Sequence, residues 1–190
     1  LKEIKTVCWC GRKATMVVRL VLKNTTVLMM RTQIDHQKLG HRIDGPTKFC
    51  LIIQADGFVV DPNFWKNEFL NYDYIGAPWP DKVIISTENY SLSLNENRVG
   101  NGGFSLRSNK LVKATSEINF DKLTLPVLAE DTLICHYLYK EMIKKGINFA
   151  PPTIAASFSM EDPGNLYGQN IDSVFGFHGE HFRSKVIKKI

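Results

Sequence analysis

The sequence predicts an α/β fold, with a mostly parallel central sheet flanked by helices in a single domain over residues 1–190. Three observations carry this reading. Apolar runs of strand length alternate with segments of helical period along the chain. The run Phe49–Ile53 is continuously apolar and stops at Gln54 and Asp56, as a parallel strand buried on both faces does at its carboxyl end. Further on, "PVLAEDTLICHYLYKEMIKKGI" sets Leu133, Ile134, Tyr137, Leu138 and Met142 on one helical face, and Gly146 fits the stop position.

The remaining elements follow in order. "KTVCWC" and "TTVLMM" read as short buried strands, with "ATMVVRLVLKN" between them as a helix. "RTQIDHQKLGHRIDGPTK" is polar, rich in turn formers, and reads as a loop. "PNFWKNEFLNYD" reads as a short helix or turn that Asp61 or Asn63 can cap. "YIGAPWP" is a strand followed by a loop kinked at Pro78 and Pro80. "VGNGGFSLRS" turns into an apolar run, and "NKLVKATSEI" is a helix with Ser108 or Asn109 as its N-cap. "FAPPTIAASFSME" suggests a final strand, and "SVFGFHGEHF" a short apolar segment ending in a polar turn.

The net charge of +5 suits a phosphate-bearing or anionic partner. The basic residues are scattered, with no stripe interleaved with aromatics, so nucleic acid is not an expected partner. No apolar run approaches the ~18–20 residues of a membrane span. The opening "LKEIKTVCWC" lacks a signal-peptide layout, which points to a cytoplasmic protein. In "RSKVIKKI", Val186, Ile187 and Ile190 alternate with Lys185, Lys188 and Lys189. That end reads either as a solvated tail or as a weak peripheral contact with anionic membrane. Cys8, Cys10, Cys50 and Cys135 form no C-x-x-C pair and read as reduced thiols.

Several residues carry candidate chemistry. Asp56, at a strand end and followed by Gly57, seats either a divalent cation with its phosphate ligands or the cap of the next turn. Glu130 and Asp131 are adjacent acids opening a helix. They either meet the helix dipole or supply a general base, whose pKa a neighbouring carboxylate raises. His178 lies between Gly176 and Gly179, which leave room around its ring for a metal or a phosphate, and His181 is a weaker candidate. Gly100, Gly102 and Gly103 fit no phosphate-loop spacing. They would allow positive φ angles and the approach of a ligand to main-chain amides beside Asn101, or form a plain bulged turn. Phe104 and Leu106 would then face the core, with Ser105 and Arg107 on the opposite side. Tyr72, Tyr74 and Trp79 either stack on sugar faces or pack, with Trp79 the better contact. Arg107 reads as a phosphate contact or as one half of a salt bridge.

In sequence, "LIIQADGF", "YDYIGAPW", "VGNGGFSLRS", "EDTLICHYL" and "FGFHG" resemble a glycosyltransferase-like family of largely uncharacterised bacterial and viral proteins, over about residues 48–180. The motif order is more distantly similar to the fringe and β-1,3-galactosyltransferase group. The resemblance implies a GT-A-type fold that binds a nucleotide-sugar donor with Mn²⁺ or Mg²⁺. It implies that Asp56, at the last acid of a D-x-D motif, and His178 ligate the metal. Gln54 stands where the first acid would be, and could bond ribose or sugar hydroxyls instead. The glycine-rich turn is implied to line the sugar and acceptor site, and Asp131 or Glu130 to act as base on the acceptor hydroxyl. The expected function is metal-dependent transfer of a sugar, with inversion, to a hydroxyl acceptor such as a glycan. The substitution at Gln54 keeps a second expectation open, a non-catalytic nucleotide-sugar- or carbohydrate-binding module on a degenerate transferase fold.

Overall fold

The computed structural model describes residues 4–9, 16–22, 25–31, 48–85, 90–94, 96–119, 122–125 and 129–182. The strands are β1 (Ile4–Trp9), β2 (Met16–Leu22), β3 (Thr25–Arg31), β4 (Phe49–Ile53), β5 (Gly57–Val59), β6 (Tyr74–Ile75), β7 (Lys82–Ile85), β8 (Tyr90–Ser93), β9 (Phe104–Ser108), β10 (Ser159–Met160) and β11 (Gly176–His178). Six of them build the main sheet in the order β1-β2-β3-β4-β9-β6. A smaller sheet has the order β10-β11-β5, and β7 and β8 form a separate antiparallel pair.

The expected mostly parallel GT-A-type sheet is not what forms. Within the main sheet only β3 and β4 run parallel; the other four pairings are antiparallel. One cause is the element expected as a helix over "ATMVVRLVLKN". It is strand β2, paired on both sides, with Leu22 opposite Thr25. Only two residues separate β2 from β3, too few for the crossover that parallel neighbours need. Its run of Val17, Val18 and Val21 also suits a strand, because branching at the β-carbon favours the pleated surface. The second cause is β9, which returns antiparallel to both β4 and β6. β4 is nonetheless central, and its Cys50–Ile53 stretch is buried as its apolar run requires.

Helix α1 (Asn109–Ser116) starts where Ser108 Oγ accepts from the Leu111 amide at 3.1 Å. The long helix is interrupted: α2 (Glu130–Thr132) leads through a π turn, Leu133–Tyr137, into α3 (Tyr139–Lys144). Within the π turn the Leu138 amide donates to Leu133 O at 2.8 Å. Gly146 stops the helix in the left-handed region at φ 76, with its own amide on Ile143 O and that of Ile147 on Met142 O. The segment expected as a final strand is mostly helix α4 (Pro152–Phe158), followed by the two residues of β10. Proline at its first position has φ preset for a helix and no amide to satisfy.

The core lies under the main sheet, around a cluster of aromatic rings. Phe69, Phe104, Phe158 and Phe175 are fully buried, with Phe158 centroids 5.1 Å from Phe69, 5.5 Å from Phe104 and 5.7 Å from Phe175. Phe104 thereby anchors the start of β9, immediately after the glycine turn. Cys50 and Cys135 are buried, and burial pushes the Cys50 thiol up to about 12. Among the described residues no helix is long and apolar enough to cross a membrane. Of the expected loop at 31–48, Arg31 ends β3, while residues 32–47, with His36 and His41, lie outside the described residues, as do the basic end at 183–190 and Cys10.

Candidate functional site

Pairing in the small sheet gathers three side chains that are distant in sequence. His178 at the end of β11 lies opposite Gly57 at the start of β5, which brings it beside Asp56. β10 runs parallel to β11 with Met160 opposite Phe177, so the next residues along, Glu161 and His178, are neighbours. His178 Nε2 lies 3.0 Å from Asp56 Oδ1, and its Nδ1 lies 3.2 Å from Glu161 Oε1. Neither approach has hydrogen-bond geometry, and both ring nitrogens and Glu161 Oε2 are buried polar atoms without a hydrogen-bond partner. Burial alone would lower the His178 pKa, but Glu161 and then Asp56 outweigh it and hold it above the ordinary imidazole value. Burial raises the Glu161 carboxyl, and the Asp131 and Asp56 charges add to this against the opposing effect of His178.

The glycine turn joins this cluster to a second one. Gly103 lies against the imidazole: a β-carbon built on it would fall 2.3 Å from His178 Nε2. Its carbonyl accepts from the Gln54 amide at 2.8 Å, tying the turn to the end of β4. Gly102, one residue earlier, donates its amide to Asp131 Oδ2 at 2.9 Å. A β-carbon there would meet Glu130 Oε2 at 2.9 Å and Arg107 Nη2 at 3.0 Å. Gly100 is crowded by Trp79, whose ring would lie 1.9 Å from an added β-carbon. The expected positive φ angles are absent at all three glycines; the left-handed residue is Asn101, at φ 49. These positions require glycine because side chains and backbone press on them, not because the chain twists there.

Other expected site residues hold this turn in place. Trp79 is 4% exposed, so it offers no free face, and its Nε1 donates to Asn101 Oδ1 at 2.8 Å. Tyr74 is buried and donates to Gly100 O at 3.1 Å. Ser105 and Arg107 share a face of β9, as alternation requires, but that face is buried too. Arg107 is 1% exposed and grips Glu130 with Nη1 and Nη2, the second bond being 3.0 Å. It also bonds Ser105 Oγ at 3.1 Å and lies over the Tyr74 ring. It is committed to Glu130 as a buried, forked ion pair.

The adjacent acids therefore have different surroundings. Glu130 is paired with Arg107. Asp131 accepts from the Gly102 amide and, at 2.7 Å, from the Thr132 amide. Burial, and then the Glu130 charge, raise the Asp131 carboxyl above its ordinary value. A carboxylate so placed moves toward the range in which a general base operates. The His181 ring packs on that of Phe182, with centroids 4.0 Å apart, and burial lowers the His136 pKa.

The sequence pattern of one family matches residues 36–178, and its description is "Protein of unknown function (DUF5672)". The chain belongs to that family. The matched region of the DUF5672 chain includes Asp56, the glycine turn, Glu130–Asp131 and His178, and also the strands that position them. No curated protein and no solved structure matches the chain. Glu161 belongs to the constellation although no sequence motif singled it out. The available signal was its place after an apolar run that pairs with "GFH", which only the register reveals.

Proposed function

We propose that this chain transfers a sugar from a nucleotide-sugar donor to a hydroxyl acceptor, using Mn²⁺ or Mg²⁺ held by Asp56 and His178. The observation that carries the reading is the meeting of two kinds of group on consecutive glycines. Asp131 is bonded to Gly102, and the His178–Asp56 pair lies against Gly103. An acid with raised pKa and a carboxylate–imidazole pair thus flank one turn, as the transfer requires.

The pair fits a divalent cation on the chemistry of its donors. Two neighbouring ligands of an octahedral ion, each at about 2.1 Å, lie about 3.0 Å apart. His178 Nε2 and Asp56 Oδ1 are 3.0 Å apart, the separation of two such neighbouring ligands. Among the described residues no three His, Cys, Asp or Glu side chains form a metal group. Two protein ligands with substrate phosphates completing the shell is the mode Mg²⁺ commonly takes. The cation would supply Lewis-acid neutralisation of charge on the departing diphosphate.

The chain's own residues do the rest. Arg107 neutralises Glu130, so that only Asp131 of the two acids is left to take a proton. The Gly102 and Thr132 amides fix the Asp131 carboxylate, and it accepts the proton of the acceptor hydroxyl as that oxygen attacks the sugar. Phe104, anchored in the aromatic cluster, holds the turn against movement. Purified protein with Mn²⁺ and a panel of nucleotide-sugars should hydrolyse one donor slowly, and Asp131→Asn should abolish this. Donor binding with no turnover under any metal or acceptor would instead favour a binding module, the reading that Gln54 at the first-acid position supports.

A further inference from the structure

The strongest unassigned feature of the site is Glu161. It follows β10 and is brought to His178 by the parallel pairing of β10 with β11. The two carboxylates approach the imidazole at different nitrogens: Asp56 at Nε2, 3.0 Å away, and Glu161 at Nδ1, 3.2 Å away. Gly103 meanwhile lies over the ring's face, where a β-carbon would fall 2.3–2.4 Å from Nε2, Cδ2 and Cε1, so nothing larger than its hydrogen fits there. The imidazole is thus confined by three separate chain segments, a degree of fixation that a surface histidine has no need of.

We propose that Glu161 is the positioning residue for His178: its Oε1 lies 3.2 Å from Nδ1, not aligned for a hydrogen bond in the metal-free chain, and it accepts the Nδ1 proton once a divalent cation takes the Nε2 lone pair on the Asp56 side. This rests on the reading of Asp56 and His178 as the cation pair. A ring nitrogen can ligate a metal only through its lone pair, so the proton must reside on the other nitrogen. A carboxylate behind the histidine is the usual way to secure that tautomer and to raise the basicity of the ligating nitrogen. Glu161 is placed behind the ring rather than beside Asp56. Its second oxygen, Oε2, is buried with no hydrogen-bond partner, so it serves no wider structural network.

Two measurements test this without any turnover. Mn²⁺ binding, read from the spin-resonance signal of the free ion, should be ~10- to 100-fold weaker in Glu161→Leu than in the wild type. Glu161→Gln keeps an acceptor oxygen and should lose only a few-fold. In Mg²⁺-saturated protein, ¹⁵N spectra of His178 should show a protonated Nδ1 and an unprotonated Nε2 in both the wild type and Glu161→Gln. Wild-type Mn²⁺ affinity in folded Glu161→Leu, or a proton on Nε2 in the Mg²⁺ form, would overturn the assignment. So would a loss in Glu161→Gln as large as that in Asp56→Ala, because Glu161 would then be a ligand itself. Unchanged Mn²⁺ binding in both Asp56→Ala and His178→Ala would sink the cation pair, and Glu161's role with it.

Discussion

Replacing Arg107 by methionine removes the cation of a buried ion pair while nearly keeping its bulk. The side chain is 1% exposed and holds Glu130 through two nitrogens, Ser105 through a third, and the Tyr74 ring by its face. Without it the Glu130 carboxylate remains at a site that leaves it 22% exposed. Stranding a fully buried charge costs ~3–5 kcal/mol, and partial access to water puts Glu130 at the low end, about 3 kcal/mol. For a chain of this length that corresponds to a fall in melting temperature of roughly 6–12 °C. Urea unfolding followed by circular dichroism measures it directly, as a lower midpoint at unchanged slope. The double variant Arg107→Met with Glu130→Gln removes the stranded charge and should recover about half of the loss or more. A loss below about 1 kcal/mol, or a double variant no more stable than Arg107→Met alone, would refute the pairing as a structural element of the site.

Gly103→Ala tests the close contact of turn and imidazole. The residue is not left-handed, so the effect comes from the 2.3 Å approach of the new methyl to His178, costing ~1–3 kcal/mol and weakening Mn²⁺ binding. Gly168→Ala is its control: the residue has φ 71 and open space around it, so about 1 kcal/mol should be lost with Mn²⁺ binding intact. Equal effects of the two on metal affinity would count against the contact. Asp131 predicts a pH dependence, since burial, and then Glu130, raise its folded pKa above the unfolded value of 3.8. The folded state then holds the proton more tightly, so this stabilisation is fully present below 3.8 and is lost as pH rises through the folded pKa. Donor hydrolysis should change the opposite way, rising over the same window as the base is freed. Urea midpoints across that range should show the drop in wild type and not in Asp131→Asn; the same slope in both would rule it out.

The parts of this fold that local chemistry determines were legible. The apolar run Phe49–Ile53, the Ser108 cap and the Gly146 stop each express a short-range rule, and each appears where the sequence puts it. Strand direction was not legible, because it depends on which strands pair, and β9 could lie either way beside β4 until its partners were known. β2 forms where a helix is expected because "MVVRLVL" is apolar at both strand and helical spacing, and only its two-residue link to β3 and its two partners decide the matter. At the site, the motifs of Asp56, the glycine turn, Asp131 and His178 were visible, but their distances were not. Glu161 was invisible for the same reason as strand direction: it joins the site through register alone. The glycines were recognised as making room, though for side chains of this chain and not, at these positions, for a positive φ.

The most direct single measurement is anomalous scattering from crystals grown with Mn²⁺ and a nucleoside diphosphate. One manganese peak should lie within about 2.2 Å of both the Asp56 carboxylate and His178 Nε2, with the diphosphate oxygens as its other ligands. Asp131 should then face the open side of the ion across Gly102 and Gly103. A diphosphate bound elsewhere on the chain, or a manganese ion with neither Asp56 nor His178 in its shell, would contradict the proposed site.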